Sequence, residues 1–147
     1  MRILVLHGVN LNMFGRRDPR QYGRATLADI DRALEKAAAE LGVEITTFQT
    51  NFEGEFIERI HRALDDGTDG VVVNAGAWTH TSYAIADAFA ILQVPVVEVH
   101  MSNVHAREPF RHFSVLSPVT AGSVAGLGVE SYLLGLRAAV SLARQKG

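Results

Sequence analysis

The chain contains no cysteine. That absence excludes disulfides, a thiolate nucleophile and cysteine-ligated zinc, and it suits a reducing compartment. An excess of one charge is also missing: 14 Lys and Arg face 16 Asp and Glu, for a formal net charge of -2. Such a balance creates no basic field for nucleic acid, so no nucleic-acid partner is expected. No apolar run is long enough to span a bilayer, and the stretch after Met1-Arg2 stops at His7-Gly8, too short for a signal-peptide core. A cytoplasmic protein without membrane association is therefore expected. Several motifs are absent as well. Without GxxxxGK[ST], or GxGxxG after the first apolar run, phosphate cradling by a glycine loop has no support. Without HExxH or paired-ligand spacing, His100, His105 and His112 define no metal site, and without GxSxG the serines define no hydrolase elbow.

What is present is an alternation of apolar runs and helical periodicities. The 147 residues fit one domain, 1–147, able to bury roughly two thirds of its unfolded surface. Ile3 to Leu6 reads as a buried strand. Leu27, Ile30, Leu34, Ala37, Ala38 and Leu41 recur at helical spacing, with Thr26 and Asp29 as a capping pair and Gly42 as the stop. Val43 to Phe48 reads as a second strand, and Phe56, Ile57, Ile60 and Leu64 mark a helix closed by the turn Asp65-Asp66-Gly67. Gly70 to Asn74 is the continuous apolar pattern of a strand covered on both faces. Ser82 to Leu92 reads as a helix, Val94 to His100 as a fourth strand, and Ser114 to Thr120 as a fifth. Pro118 inside that last run requires an edge position. Gly122, Gly126 and Gly128 loosen the following connection, and a final helix carries Tyr132, Leu133, Leu136, Ala139 and Val140 on one side and ends near Lys146. Strands joined by right-handed helical crossovers imply a doubly wound parallel sheet with helices on both faces. For five strands the flavodoxin-like α/β order 2-1-3-4-5 satisfies the edge requirement.

In such sheets ligands bind beyond the carboxyl ends of the strands, beside the switch point between the first and third. Polar residues gather there. The connection from His7 to Gly23 is too long for a βα loop and carries Asn10, Asn12, Arg16, Arg17, Arg20 and Tyr22, with the arginines placed as a trap for a small anion. The third strand ends at Asn74 with His80 behind it, and the fourth at His100 with Ser102 behind it. His80 either caps the following helix or reaches this rim. Glu98, two residues before His100, shares its face and either fixes the imidazole tautomer or pairs with an arginine.

Four blocks, NLNMFGRRDPRQYG, NAGAWTHTS, VVEVHMSNVHAREPFR and GLGVESYLLGLRA, give the chain a family likeness over essentially its whole length: it resembles the type II 3-dehydroquinate dehydratases. The resemblance implies a flavodoxin-like, cofactor-free lyase that removes water from 3-dehydroquinate. Carried over by matching position, Tyr22 takes the proton beside the ketone, His100 protonates the departing hydroxyl, and Arg17 supports the base and developing charge. Asn10 helps hold the enolate and Glu98 orients His100. Asn74, His80, Met101, Ser102 and Arg111 bind the substrate, and Asp87 acts near a neighbouring subunit's site in a dodecamer built from trimers. Arg107 matches a family arginine without an assigned role. Glycines at 15 and 23 suit the opening loop to a lid. The family usually reads Leu-Asn-Gly-Pro-Asn where this chain has Leu6-His7-Gly8-Val9-Asn10, a departure that loosens the turn before Asn10. The rival reading is a flavodoxin-like binding module that holds an anionic small molecule without turning it over.

Overall fold

A computed structural model describes residues 1–147. Five parallel strands form one sheet in the order β2-β1-β3-β4-β5. They are β1 (Arg2–His7), β2 (Glu44–Gln49), β3 (Gly70–Asn74), β4 (Val96–His100) and β5 (Gly122–Ala125). Three crossover helices, α2 (Leu27–Leu41), α3 (Glu53–Arg62) and α4 (Tyr83–Ala90), and the final helix α5 (Val129–Lys146) cover the sheet, and a short helix α1 (Pro19–Tyr22) lies in the loop after β1. None of the helices is long and apolar enough to cross a membrane.

Strand alternation divides the core into two layers. Ile3, Val5, Val72, Val97 and Val99 face α2 and α5, where they meet Ile30, Leu34, Tyr132 and Leu136. Leu4, Leu6, Val71, Val73 and Val96 face α3 and α4, where they meet Phe56, Ile60, Ile85 and Phe89. The central strands β1, β3 and β4 are buried along nearly their whole length, which is why they read as continuous apolar runs. The predicted Thr26–Asp29 pair is a reciprocal capping box, and Gly42 ends α2 in the left-handed conformation.

The fifth strand is a correction. Ser114 to Thr120 is not a strand: Ser117–Val119 forms a 3-10 turn with Pro118 in its first positions, and the ladder begins only where Ala121 N–H donates to Val96 O. Val115 and Leu116 are buried because they plug the layer beside α4, not because they lie in the sheet. The true β5, Gly-Ser-Val-Ala, lies at the edge, but Pro118 is not what places it there.

The connection after β1 is also folded more fully than a loop. His7 completes β1, Leu11–Met13 makes a 3-10 turn, and α1 begins at Pro19 with the Asp18 side chain accepting from Arg20 N–H. Its close approach to the sheet depends on Gly8: a Cβ there would lie 2.8 Å from Ala75 Cα. The ends of β1 and β3 therefore pack backbone against backbone at the switch point.

Candidate active site

At the carboxyl ends of β1, β3 and β4 the chain encloses a cleft with about 140 Å³ of space. Asn10, Arg17 and Tyr22 reach it from the β1 connection, Asn74 and His80 from the end of β3, and His100, Met101, Ser102, Arg107 and Arg111 from the end of β4. Val9, Leu11, Phe14 and Val104 add apolar wall, and Gly76 and Ala77 complete it.

On one side the centre is Tyr22. Its ring is buried and tilts against Phe14 at 5.7 Å between centroids, fixing α1 to the core layer beneath. Its hydroxyl oxygen receives Arg17 Nη2 at 2.8 Å and Arg107 Nη1 at 2.7 Å. The Arg17 guanidinium also lies over the ring, 3.9 Å from its centroid. Two cationic donors thus converge on one phenol oxygen. Arg107 Nη1 donates a second bond to Ser102 Oγ at 3.0 Å, so one guanidinium links the two sides of the cleft.

On the other side the centre is His100. Glu98, nearly fully buried, places Oε2 2.6 Å from His100 Nε2, as the shared strand face predicts. Ser114 Oγ and Thr79 Oγ1 also donate to this carboxylate, at 2.9 and 3.3 Å, so its oxygens are held by hydroxyls and not by an arginine. With Nε2 committed to Glu98, Nδ1 is the nitrogen left for chemistry. His80 stacks beside this ring at 6.5 Å between centroids and is held by Phe113 O, 2.8 Å from its Nδ1. It does not cap α4. Ser82 does, accepting from Ile85 N–H.

Asn10 adopts the left-handed conformation, φ 68°, with its own N–H donating to Asn51 Oδ1 at 2.8 Å. Asn74 Oδ1 accepts from Gly76 N–H at 3.1 Å. Arg111 Nε pairs with Glu108 Oε2 at 3.0 Å. Glu108's own backbone amide, then the Arg111 guanidinium, hold the Glu108 carboxyl below its ordinary range.

Among the residues singled out by sequence, Glu98 stands directly behind His100, whereas Asp87 lies exposed on α4 outside the cleft. The other nine line the cleft. The anion trap of three arginines does not form. Only Arg17 turns inward, while Arg16 is exposed and Arg20 pairs with Asp18, whose carboxyl is held low first by that side-chain hydrogen bond. The position of Arg107 was not legible, because a residue 85 positions from Tyr22 has no spacing signal.

Sheet order and cleft together define an α/β protein of the flavodoxin-like class, with a tyrosine and a histidine lining one cleft at the strand ends. Comparison narrows the class. Residues 1–140 match the Dehydroquinase class II family, and the chain belongs to it. A 3-dehydroquinate dehydratase of Leptothrix cholodnii is 63% identical over 142 residues, covering 97% of this chain and 95% of that protein. Another, of Syntrophotalea carbinolica, is 60% identical over 141 residues, covering 96% and 95%. The solved type II dehydroquinase of Butyrivibrio crossotus superposes with a TM-score of 0.93 at 40% identity, covering 95% of this chain and 97% of that one.

Proposed function

We propose that this chain is a 3-dehydroquinate dehydratase that eliminates water from 3-dehydroquinate through an enolate, with Tyr22 as base and His100 as acid and without a cofactor. The observation that carries this reading is a doubly donated Tyr22 oxygen in the same cleft as an imidazole held by a buried carboxylate. The phenolate takes the proton from the carbon beside the ketone, and the electron pair moves to the ketone oxygen as an enolate. Asn10 and Arg17 stabilise that oxygen. As the enolate collapses, the carbon–hydroxyl bond breaks and the leaving oxygen takes a proton from His100 Nδ1, so water departs and a conjugated enone remains. Glu98 stabilises the imidazolium before transfer. Solvent then moves a proton from Tyr22 back to His100, and the cycle is closed.

Asn74, His80, Ser102 and the backbone at Met101 hold substrate hydroxyls, and Arg111 takes the carboxylate. The β1 connection acts as a lid, swinging about Gly15 and Gly23, whose φ angles are 94° and 67°. Asp87 serves a neighbouring copy: it lies on the same exposed face of α4 as Tyr83, which is 71% exposed, and an exposed aromatic beside a charged group suits burial by a partner. The assembly is a homo-oligomer, a dodecamer of trimers, acting in the cytoplasm. Mixing the protein with 3-dehydroquinate should raise ultraviolet absorbance as the enone forms. A flat trace from folded protein leaves only a binding module. Light scattering tests the assembly.

A further inference from the structure

The segment from Phe113 to Leu116 is tied to both histidines of the cleft, to His80 directly and to His100 through Glu98. Phe113 O accepts from His80 Nδ1 at 2.8 Å. Ser114 Oγ lies 2.9 Å from Oε1 and 3.0 Å from Oε2 of Glu98, the carboxylate that holds His100. Core packing anchors this segment: Val115 N–H donates to Thr79 O at 2.8 Å, and the Val115 and Leu116 side chains are buried in the layer that contains α4. Glu98 and Thr79 are each 1% exposed. Neither of them lines the cleft, and nor does Ser114.

The two oxygens of Glu98 have different partners. A carboxylate only accepts. Oε2 takes His100 Nε2 at 2.6 Å and Thr79 Oγ1 at 3.3 Å, whereas the Ser114 hydroxyl is the sole partner of Oε1. The oxygen of Ser114 itself accepts from Leu116 N–H at 3.1 Å, which leaves its proton for the carboxylate. The torsion that turns a glutamate carboxylate is broad, so the plane of Glu98 is set by its partners. A hydroxyl almost equidistant from both oxygens fixes that plane, and with it the direction in which Oε2 meets the imidazole. His100 Nε2 is thereby held, and Nδ1 is left for the cleft.

We propose that Ser114, seconded by Thr79, is a positioning residue for the proposed acid: its hydroxyl fixes the plane of the Glu98 carboxylate and thereby the orientation of the His100 ring. This role rests on the reading of His100 as the acid. Without the hydroxyl, Oε1 loses its only partner in a buried site, the carboxylate turns, and the ring no longer offers Nδ1 to the leaving oxygen at one angle. Substrate binding is left intact, because neither Ser114 nor Thr79 reaches the cleft.

The test measures kcat and KM for 3-dehydroquinate by enone absorbance in Ser114→Ala, Glu98→Ala and the double variant. Ser114→Ala should lower kcat about tenfold, the scale of one hydrogen bond, with KM within about threefold. In the Glu98→Ala background no carboxylate remains to be turned, and the same substitution should change kcat by less than about twofold. An unchanged kcat in Ser114→Ala, a rise in KM without a fall in kcat, or a tenfold loss that recurs in the Glu98→Ala background overturns the positioning role. If circular dichroism shows Ser114→Ala unfolded, Thr79→Val replaces it, exchanging a hydroxyl for a methyl, with a fall of about threefold and the same non-additivity expected. Wild-type protein without turnover refutes the dehydratase reading, and a fully active His100→Ala refutes the acid reading and with it the role of Ser114. Both are seen before Ser114 is varied.

Discussion

Replacing Arg107 with methionine separates support of the proposed base, Tyr22, from binding of the substrate. Methionine keeps an apolar stem of similar length in a site where the arginine side chain is 10% exposed, so the main loss is the charged donor. That donor lies 2.7 Å from the Tyr22 oxygen, and Arg17 continues to donate from 2.8 Å. A hydrogen bond to a charged partner contributes about 1.5–3 kcal/mol. In the proposed reaction, counted from the neutral phenol, about half of a negative charge sits on Tyr22 at the transition state, so about half of that stabilisation bears on the rate. At about 1.4 kcal/mol per factor of ten, kcat should fall about three- to twelvefold. Arg111→Met should instead act mainly on KM, because Arg111 lines the cleft but makes no bond to Tyr22. Initial rates of enone formation over a range of 3-dehydroquinate concentrations measure both constants. An unchanged kcat with a raised KM in Arg107→Met would show that Arg107 holds substrate and leaves Tyr22 to Arg17 alone.

Two further predictions concern stability. Burial opposes ionisation of Asp66, but hydrogen bonds from Thr68 and the Arg59 guanidinium, 3.0 Å away, outweigh it and hold the carboxyl below its ordinary range. A depressed folded pKa stabilises the fold above the unfolded value and loses that effect as pH falls through the folded one. Asp66→Asn should therefore lower Tm at pH 7 by about 2–4 °C, with the gap closing below about pH 4 in thermal melts, and a gap that persists in acid would refute the ionic origin. Gly8→Ala should cost far more Tm than Gly54→Ala, because the new Cβ meets the Ala75 backbone at position 8 and nothing within 4 Å at position 54. Equal melts would mean that the switch-point backbones can part freely.

The elements that sequence placed well are those whose signal is local. Buried strands β1, β3 and β4 show as apolar runs because both faces are covered, and α2 is bounded by a capping box and a left-handed glycine written within its own residues. Glu98 beside His100 was legible for the same reason, since strand alternation sets two residues on one face. The misplaced fifth strand marks the limit. Val115 and Leu116 are apolar because they fill a gap beside α4, while Gly122–Ala125 is made of small residues whose place in the sheet depends on the ladder from β4.

The sequence by itself determined the sheet class, the rim at which the polar residues gather and the residue types available for acid and base chemistry, because strand and helix periods and caps are properties of neighbouring residues. Only the tertiary structure decided which of the loop arginines faces the cleft, that Arg107 meets Tyr22 across 85 positions, and that His7 is held between Asp31 and the Tyr132 hydroxyl. These are contacts between side chains on different elements. Their partners are chosen by packing in three dimensions, which no spacing along the chain encodes.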